Sequence, residues 1–473
     1  MTAETDRLHP SLTFAVLALG GISYALLQSL VAPALPDIQH ALHTSENSVS
    51  WILTAYLLSA SVATPLIGRL GDMYGKERLL MIVLLLLSVG TLVSALASSL
   101  PLILVGRVIQ GAAGGIFPLA FGIIRDEFPR ERVAGSIGLM SALLGIGGGV
   151  GILAGAAIVE HLSWHWLFWL PLVVIVVAAV GTWRFVPESP VRVPGRINWP
   201  AAVLMSSGMT LVLIAISETT TWGWGSAKTI VVLVVGGAIC AVWVAVEVWS
   251  AQPLIDMTLM RVRAVWTANL TAFLLGAGMY ASFVVFPQFA QLPKSTGFGF
   301  GASVVGSALY LLPSTIGMFV VGSAAGRIAA RFGSKLALVA GSFVTATAFG
   351  LLAAQHAHVY DMLVSSALLG IGIGLAFAAL GNIVVQAVDD HQTGVASGMN
   401  TVMRTIGGAL GGQLTATFLA DHVRNGYPTV TGFTDSFVLS TCFLVVCTAA
   451  ALLVPGRHST QYVDHFEEAA ATD

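Results

Sequence analysis

Charged side chains cluster in one short polar stretch between two apolar runs of the sequence. Residues 68–78 read GRLGDMYGKER, in which the Asp72 carboxylate lies among three cations and Glu77 lies between two of them. These cations are Arg69, Lys76 and Arg78. Such a cluster is either a set of solvated ion pairs, each worth at most ~1 kcal/mol, or a latch of ion pairs that separates when the chain changes conformation.

Two other cations, Arg107 and Arg404, lie inside long apolar runs. A guanidinium in such surroundings must bond protein carbonyls or face a water-filled cavity, since placing it in hydrocarbon costs roughly 2.5–3.5 kcal/mol. One interpretation is structural, with each arginine bonding the carbonyls of a broken helix. We favour the other, in which each arginine lies at a cavity and either tunes a proton site or meets an anionic group of a bound molecule. The sequence reveals no acidic partner for either arginine.

The composition indicates a membrane protein. Of 473 residues, 56% are hydrophobic and only 9% are charged, whereas soluble domains carry roughly a quarter charged residues. The net charge of −2 provides no basic surface for nucleic acid. The three cysteines lie in apolar runs, so neither a disulfide framework nor a zinc site is expected. No G-x-x-x-x-G-K-[ST] phosphate loop occurs, which argues against an ATP-driven pump.

Fourteen runs are apolar and long enough, at about 20 residues, to cross a bilayer as helices. They lie approximately at 13–36, 48–69, 79–99, 101–124, 134–159, 165–186, 198–217, 228–250, 265–291, 302–325, 336–355, 359–387, 395–420 and 433–455. Lys and Arg test this count, because cytoplasmic loops are enriched in them. With both termini cytoplasmic, sixteen of the 21 cations fall in inside segments and three fall outside. We therefore predict an all-α membrane protein with 14 transmembrane helices and cytoplasmic N- and C-termini.

Two weak internal sequence repeats indicate that the chain contains two similar halves. The segment 68–75 is repeated at 326–333, and the segment 133–136 is repeated at 394–397, with offsets of 258 and 261 residues. Parallel repeats of this kind occur in transporters. The predicted organisation is a tail at 1–12, a six-helix bundle at 13–190, two inserted helices at 191–255, a second six-helix bundle at 256–455 and a tail at 456–473.

Residues 68–78 resemble the loop 2–3 signature of the major facilitator superfamily, G-x-L-x-D-x-x-G-[RK]-x-[RK], and residues 107–114 resemble its second motif. The segments 51–56, 164–168 and 217–224 are similar to the fourteen-span drug:proton antiporter branch of that superfamily, which includes multidrug efflux proteins. The resemblance implies two six-helix bundles around a central cavity, alternating access, and proton-driven export of small, often amphipathic molecules.

Given this resemblance, we interpret the charged cluster as a latch that holds the cytoplasmic side closed. Its expected members are Gly68, Arg69, Asp72, Gly75, Lys76, Arg78 and Asp126. Asp126 follows the fourth span, and we expect it to meet Asp72 through Arg69.

Polar and aromatic residues inside spans 1, 2, 4, 9 and 13 are the candidates for a substrate cavity. They are Tyr24, Gln28, Tyr56, Gln110, Asn269, Tyr280, Gln288 and Asn400. Each alone could instead satisfy a hydrogen bond between helices, which is worth about 0.6 kcal/mol on average in membrane proteins. As a group, these aromatic faces and uncharged amides suit an uncharged or cationic amphipathic molecule.

Two features of the antiporter branch are missing. The fifth span has Ile152 where the motif G-x-x-x-G-P-x-x-G-G has proline, and Leu27 occupies the position that often carries Asp in the first span. No acidic residue and no histidine lies at the centre of a predicted span, although proton relays normally use titratable groups there. We therefore expect proton coupling to be absent, weak or peripheral, through Asp72 or a helix-end acid such as Glu160 or Glu218.

Glycines in the fifth span predict close helix packing. The Gly-rich run at 145–151 lies inside an apolar span, whereas a dinucleotide-binding loop follows a strand and opens a helix. Gly147, Gly151 and Gly155 form a stripe of small residues, which we expect to be repeated by Gly408 and Gly412 in the thirteenth span.

The leading hypothesis is a secondary active exporter of small amphipathic organic molecules in the plasma membrane of a bacterium. The alternative within transport is an uncoupled facilitator, or a lipid or metabolite transporter. A sensor would need an added soluble domain, and a membrane enzyme would need a buried cluster of His, Asp or Glu. We expect a monomer among membrane lipids that binds a small-molecule substrate, with no enzyme activity, metal or nucleic acid, and no cofactor beyond the proton as coupling ion.

Overall fold

The computed structural model describes residues 10–189, 197–250, 252–424 and 426–456. Four cations used in the predicted topology lie outside the described residues, as do most residues of the two predicted tails. These cations are Arg7, Arg192, Arg196 and Arg457. The described chain is almost entirely helical, and the strands found in it are a two-stranded antiparallel hairpin of β1 (Val423–Arg424) and β2 (Tyr427–Pro428).

The first helical bundle contains eight helical segments. They are α1 (Pro10–Ser29), α2 (Leu35–Ala41), α3 (Glu46–Tyr74), α4 (Lys76–Ala95), α5 (Leu100–Gln110), α6 (Ile116–Glu127), α7 (Arg130–His161) and α8 (Trp166–Phe185). Short 3-10 turns at Ala32–Ala34 and Gly111–Gly115 join α1 to α2 and α5 to α6. With Ile152 in place of proline, no residue in α7 lacks the backbone N–H of the helical ladder, and α7 runs unbroken for 32 residues.

An inserted helix pair and a second bundle follow. The inserted pair consists of α9 (Trp199–Ser217) and α11 (Ala227–Trp249), joined through the short α10 (Thr219–Trp222). The second bundle contains α12 (Arg263–Met279), α13 (Ala281–Gln291), α14 (Val304–Leu309), α15 (Leu312–Phe332), α16 (Ser334–Ala354), α17 (Val359–Gln386), α18 (Thr393–Asp421) and α19 (Val430–Leu452). Its 3-10 turns are Leu259–Arg261, Lys294–Thr296 and Asp390–Gln392.

Twelve helical stretches among the described residues are long and apolar enough to cross a membrane, so the predicted count of fourteen is not confirmed. The two remaining predicted spans do form helices. The span at 265–291 is broken at Tyr280 into α12 and α13, of 17 and 11 residues. The span at 395–420 is the continuous α18. Because it contains Asn400, Arg404 and Gln413, it is more polar than the twelve apolar helical stretches. Of the six predicted spans of the second bundle, α12–α13 is the first and α18 is the fifth.

The two bundles are built alike. In the first, α1 packs against α7, α3 against α5, and α4 against α8; in the second, α12 packs against α18, α15 against α17, and α16 against α19. Each bundle has its own apolar core. The bundles meet through two equivalent pairs, because α7 packs against α15 and α18 packs against α3.

The repeated glycine motif has a structural reason at both of its sites. Gly75 ends α3 with φ of 111°, and Gly333 ends α15 with φ of 80°. Residues with a Cβ rarely adopt positive φ, so glycine allows the sharp reversal into the next helix. A side chain at position 75 would also meet the carboxylate of Glu188.

Close glycine packing joins the first and fifth helices of each bundle. In α7, Gly147, Gly151 and Gly155 face α1 without room for a side chain. The expected repeat in α18 is partly wrong. Gly408 lies against the Tyr280 ring, but nothing lies within 4 Å of a Cβ placed at Gly412, and Gly407 and Gly411 are the glycines that approach the backbone of α12. Gly407 and Gly411 are four residues apart and share the face of α18 that meets α12, whereas Gly412 is turned away from that face.

The inserted pair lies across the junction of the two bundles. It forms a third apolar cluster in which Met205 and Trp243 pack with Val395 and Val402 of α18. Glu247 is buried near the end of α11 and accepts hydrogen bonds from the Trp243 ring and from the Leu254 and Ile255 backbone. The carboxylate therefore fixes the connection into the second bundle.

Candidate functional site

One face of the molecule is closed by contacts between the two bundles. Asp72, near the end of α3, is 1% exposed, and its Oδ2 accepts a hydrogen bond of 3.3 Å from the backbone N–H of Val395. Val395 lies in the first turn of α18, where the free N–H groups and the helix dipole favour a negative charge. Gly68 and Gly394 bring the two backbones together at this point.

Lys76 lies between the two acidic residues of the predicted latch. It is 1% exposed, and its Nζ is 2.5 Å from Asp126 Oδ2 and 4.0 Å from Asp72 Oδ1. Ser189 also donates a hydrogen bond to Asp126. The expected bridge through Arg69 is therefore wrong, because the ammonium of Lys76, at the start of α4, fills the space between the carboxylates. Arg78 points to the exterior.

A second contact between the bundles lies beside this cluster. Arg125, at the end of α6, places Nε 2.6 Å from Asp390 Oδ1 and donates from Nη1 to Thr393 Oγ1 at 2.8 Å. Neither Arg125 nor Asp390 is among the latch residues predicted from the sequence. The sequence carries no signal for this pair, since 265 positions separate the two charges and only the packing of α6 against α18 joins them.

Arg107 has a structural role, in which it bonds backbone carbonyls, rather than the cavity role that we favoured from the sequence. It is fully buried, and its Nε and Nη1 donate to the carbonyls of Ile52 and Leu27 and to Gln110 Oε1, at 2.9–3.0 Å. Its guanidinium carbon lies 4.1 Å from the centre of the Tyr56 ring. Leu27 is in the last turn of α1, where carbonyls lack partners within the helix. Arg107 thus ties α5 to α1 and α3.

Three predicted cavity residues belong to this buried network. Gln110 donates to Thr91 and Ser94 of α4, and the Tyr56 hydroxyl donates to the Tyr24 carbonyl. The Tyr24 ring packs on Tyr56 and on Phe117. These contacts are hydrogen bonds and ring packing between helices.

A small cavity of about 20 Å³ lies between the bundles and is lined by α6, α7, α17 and α18. Its polar wall is one face of α18, made of Ser397, Asn400, Thr401 and Arg404. Its other walls are mainly apolar and are formed by Phe117, Phe121, Ser141, Leu144, Phe377, Gly381 and Val384. Arg404 lies about 16 Å along α18 from its start, close to half the thickness of a bilayer core.

Two of the predicted residues, Asn400 and Arg404, lie on this cavity. Asn400 also donates to the Asn269 side chain and to the Ala268 carbonyl of α12, so Asn269 holds α12 against α18. Tyr280 lies at the break between α12 and α13, Gln28 is half-buried near the end of α1, and Gln288 is exposed.

Most residues of this wall were not predicted from the sequence, although the sequence contains a signal for them. Ser397, Asn400, Thr401 and Arg404 occur at positions i, i+3, i+4 and i+7, which is one face of a helix. A polar face inside a membrane helix points to a cavity or a partner helix. The phenylalanines carry no comparable signal, since aromatic residues are common on every face of a membrane helix.

The charged residue that lines the cavity is a cation. No acidic residue lines it, and Arg404 is the cation on its wall. Among the described residues there is also no group of three or more His, Cys, Asp or Glu that could hold a metal ion.

Two equivalent helical bundles, a polar cavity between them and a closed contact on one face define a polytopic membrane protein of the transporter type. The profile of the Major Facilitator Superfamily matches residues 17–412, and the chain belongs to that family. The predicted resemblance to this superfamily is confirmed, and the chain is a multi-pass integral membrane protein of the transporter class.

Curated relatives support the same branch. Multidrug resistance protein 3 of Bacillus subtilis (strain 168) is 27% identical over 429 residues, covering 89% of this chain and 82% of the relative. The tetracenomycin C resistance and export protein of Streptomyces glaucescens is 27% identical over 427 residues, covering 89% and 78%. The puromycin resistance protein pur8 of Streptomyces alboniger is 26% identical over 477 residues, covering 94% and 91%.

Solved structures share the fold. The human organic anion transporter MFSD10 (TETRAN) aligns with a TM-score of 0.68 at 16% identity, covering 94% of this chain and all of that chain. The proton:xylose symporter XylE aligns with a TM-score of 0.66 at 15% identity, covering 94% and 96%. At this identity the likeness describes the fold alone.

Proposed function

We propose that this protein exports small amphipathic organic molecules from a bacterial cell by alternating access, as a drug-efflux transporter of the plasma membrane. The contact between Asp72 and the start of α18 carries the proposal, because it joins the two bundles on one face through a buried charge. Drug resistance and export in the named relatives support the choice of substrate class.

The proposed topology has fourteen spans, with both termini and the latch face in the cytoplasm. The twelve apolar spans leave α12–α13 and α18 to cross the membrane as well. In the fold, α12 and α18 pack against each other inside the second bundle, and α18 packs against α3. Polar residues in these two helices are then shielded by protein, as intramembrane polar groups usually are. The protein is proposed to act as a monomer and to bind its substrate at the cavity lined by Arg404.

Proton coupling is proposed to be peripheral. Since no carboxylate lines the cavity, a coupling proton would bind at a carboxylate outside it, and Asp72 is the buried carboxylate that joins the two bundles. Protonation of Asp72 removes the charge that faces the N-terminus of α18 and so weakens the closed face. The same absence of acids from the cavity wall favours a second candidate, an uncoupled facilitator or a lipid or metabolite transporter of this fold.

Proteoliposomes with and without an imposed pH gradient test both candidates. The compounds are puromycin, tetracenomycin C and a neutral and an anionic naphthalene dye, and empty liposomes are the background. A coupled exporter accumulates at least one compound against its gradient, and dissipating the pH gradient abolishes that accumulation. Equilibration without accumulation identifies the facilitator, and no protein-dependent flux of any compound contradicts the proposed function.

A further inference from the structure

Arg404 is a buried cation whose electrostatic neighbours include the phenol groups of Tyr280 and Tyr24. Its side chain is on the cavity wall and 9% exposed, and it makes no hydrogen bond or ion pair with any described residue. Its Nε is completely buried and has no acceptor. Its guanidinium carbon lies 4.5 Å from the centre of the Phe377 ring. Arg107 is different, because three of its N–H groups are bonded to protein oxygens.

A second polar group beside Arg404 is also unused. The Ser397 side chain is 3% exposed, and its Oγ has no hydrogen-bond partner among the described residues. Ser397 and Arg404 are seven residues apart on α18, so they lie on the same face, two turns from each other. Asn400 and Thr401 lie between them on that face. The wall therefore presents two donors, the Arg404 guanidinium and the Ser397 hydroxyl, that have no acceptor among the described residues.

The remaining walls suit an apolar body. Phe117 and Phe121 of α6 pack edge to face at 6.2 Å between ring centres, and Leu144 and Val384 extend the apolar surface. A cation placed here would face Arg404 with no carboxylate to offset the repulsion. An anion would supply the acceptor that the buried guanidinium lacks, and charge-assisted hydrogen bonds of this kind are among the strongest in proteins.

We propose that this small cavity, widened when the closed face between the bundles opens, is a binding site for amphipathic organic anions. The sulfonate or carboxylate of the ligand accepts hydrogen bonds from Arg404 and from the Ser397 hydroxyl, and its aromatic or aliphatic body packs on Phe117 and Phe121. As a statement about the exported substrate, this rests on the proposed function; as a statement about binding, it stands on the cavity alone. It replaces the expectation of an uncharged or cationic ligand.

A matched pair of fluorescent probes tests the charge preference. 8-Anilinonaphthalene-1-sulfonate carries a sulfonate on the body of N-phenyl-1-naphthylamine, which is neutral. Binding of each probe to the full chain in lipid nanodiscs is measured by equilibrium dialysis, with empty nanodiscs as background. The variants are Arg404→Gln, Arg404→Lys and Ser397→Ala. Arg331→Gln is the matched control, because it removes the same charge from an exposed position in the same bundle.

The expected result is at least tenfold weaker binding of the sulfonate to Arg404→Gln, with binding of the neutral probe changed less than twofold. Arg404→Lys keeps the charge and should stay within about fivefold of the unmodified chain for the sulfonate. Arg331→Gln should match the unmodified chain for both probes. If Arg404→Gln fails to fold, Ser397→Ala gives the readout, with a twofold to fivefold loss confined to the sulfonate.

Two results overturn the proposal. One is equal affinity of the unmodified chain for the two probes, and the other is an equal loss of both probes in the cavity variants. Charge-selective binding without export in proteoliposomes would contradict the proposed function and leave this site standing. Export combined with equal binding of the charged and neutral probes would support the proposed function and contradict the proposed anion site.

Discussion

The Asp72 carboxylate of α3 accepts a hydrogen bond from the Val395 N–H of α18 across 323 positions of sequence. Val395 precedes Ser397 and Arg404 by two and nine residues on the same helix. The contact that closes one face and the polar wall of the cavity are therefore parts of one continuous helix. A displacement of α18 on release of Asp72 must also move the polar wall of the cavity.

Replacing Asp72 with Asn should reduce export at least tenfold while leaving expression unchanged. The amide keeps the shape of the carboxylate but loses the charge that faces the helix N-terminus, so the closed state is weakened more than the fold. The measurement is the initial rate of protein-dependent flux in proteoliposomes. Asp435→Asn is the control, because the Asp435 side chain is 44% exposed and lies away from the latch. Unchanged flux in the Asp72 variant would remove the latch.

Replacing Lys76 with Met should destabilise the protein by about 3–5 kcal/mol, because it leaves Asp72 and Asp126 buried together without their cation. Adding Asp126→Asn to Lys76→Met should recover part of that loss, since it removes one of the two unpaired charges. Thermal unfolding of Lys76→Met, Asp126→Asn and the double variant in detergent gives the comparison. Additive losses in the double variant would mean that the 2.5 Å pair contributes no coupling.

Replacing Arg125 with Gln should have a smaller effect than Asp72→Asn, reducing flux no more than threefold. The Asp390 carboxylate is 61% exposed, and exposed ion pairs contribute at most ~1 kcal/mol. Raising the salt concentration should reduce the difference between Arg125→Gln and the unmodified chain, because mobile ions screen exposed charges. A loss as large as that of the Asp72 variant would place the main latch at Arg125 instead.

Two adjacent glycines in α18 offer a matched test of helix packing. Gly411→Ala should lower the unfolding temperature and the yield of folded protein, because its new methyl group would meet the Ala277 carbonyl of α12. Gly412→Ala should be neutral or slightly stabilising, by up to ~1 kcal/mol, since nothing lies within 4 Å of that position and alanine favours helix over glycine. Equal behaviour of the two variants would show that α12 and α18 do not pack as described.

The residues of the latch could be predicted from the sequence, but their pairing could not. The spacing of residues 68–78 identified Asp72 and Lys76 as a charged group at the end of an apolar run. Which cation bridges to Asp126 depends on how α3, α4 and α6 cross, and that choice falls on Lys76 rather than Arg69. Asp390 joins the site only because α6 and α18 are neighbours in space.

The two buried arginines show the same limit. Both lie in apolar runs and look alike in the sequence, but Arg107 bonds carbonyls of α1 and α3 whereas Arg404 faces a cavity. A one-dimensional pattern records that a cation is surrounded by apolar residues along the chain. It does not record which helix faces that cation.

The sequence alone determined the membrane class, the helical content, the two-fold repeat and the family. These depend on the length of apolar runs, the placement of charges and the spacing of glycines, which are properties of short stretches of sequence. The tertiary structure alone decided which glycines of α18 face a neighbour, which cation lies between the carboxylates of the latch and which arginine has no hydrogen-bond partner among the described residues. These depend on helix crossing and register between segments hundreds of residues apart. A shift of one residue in that register turns a side chain by about 100°, and so separates a cavity wall from a packed interface.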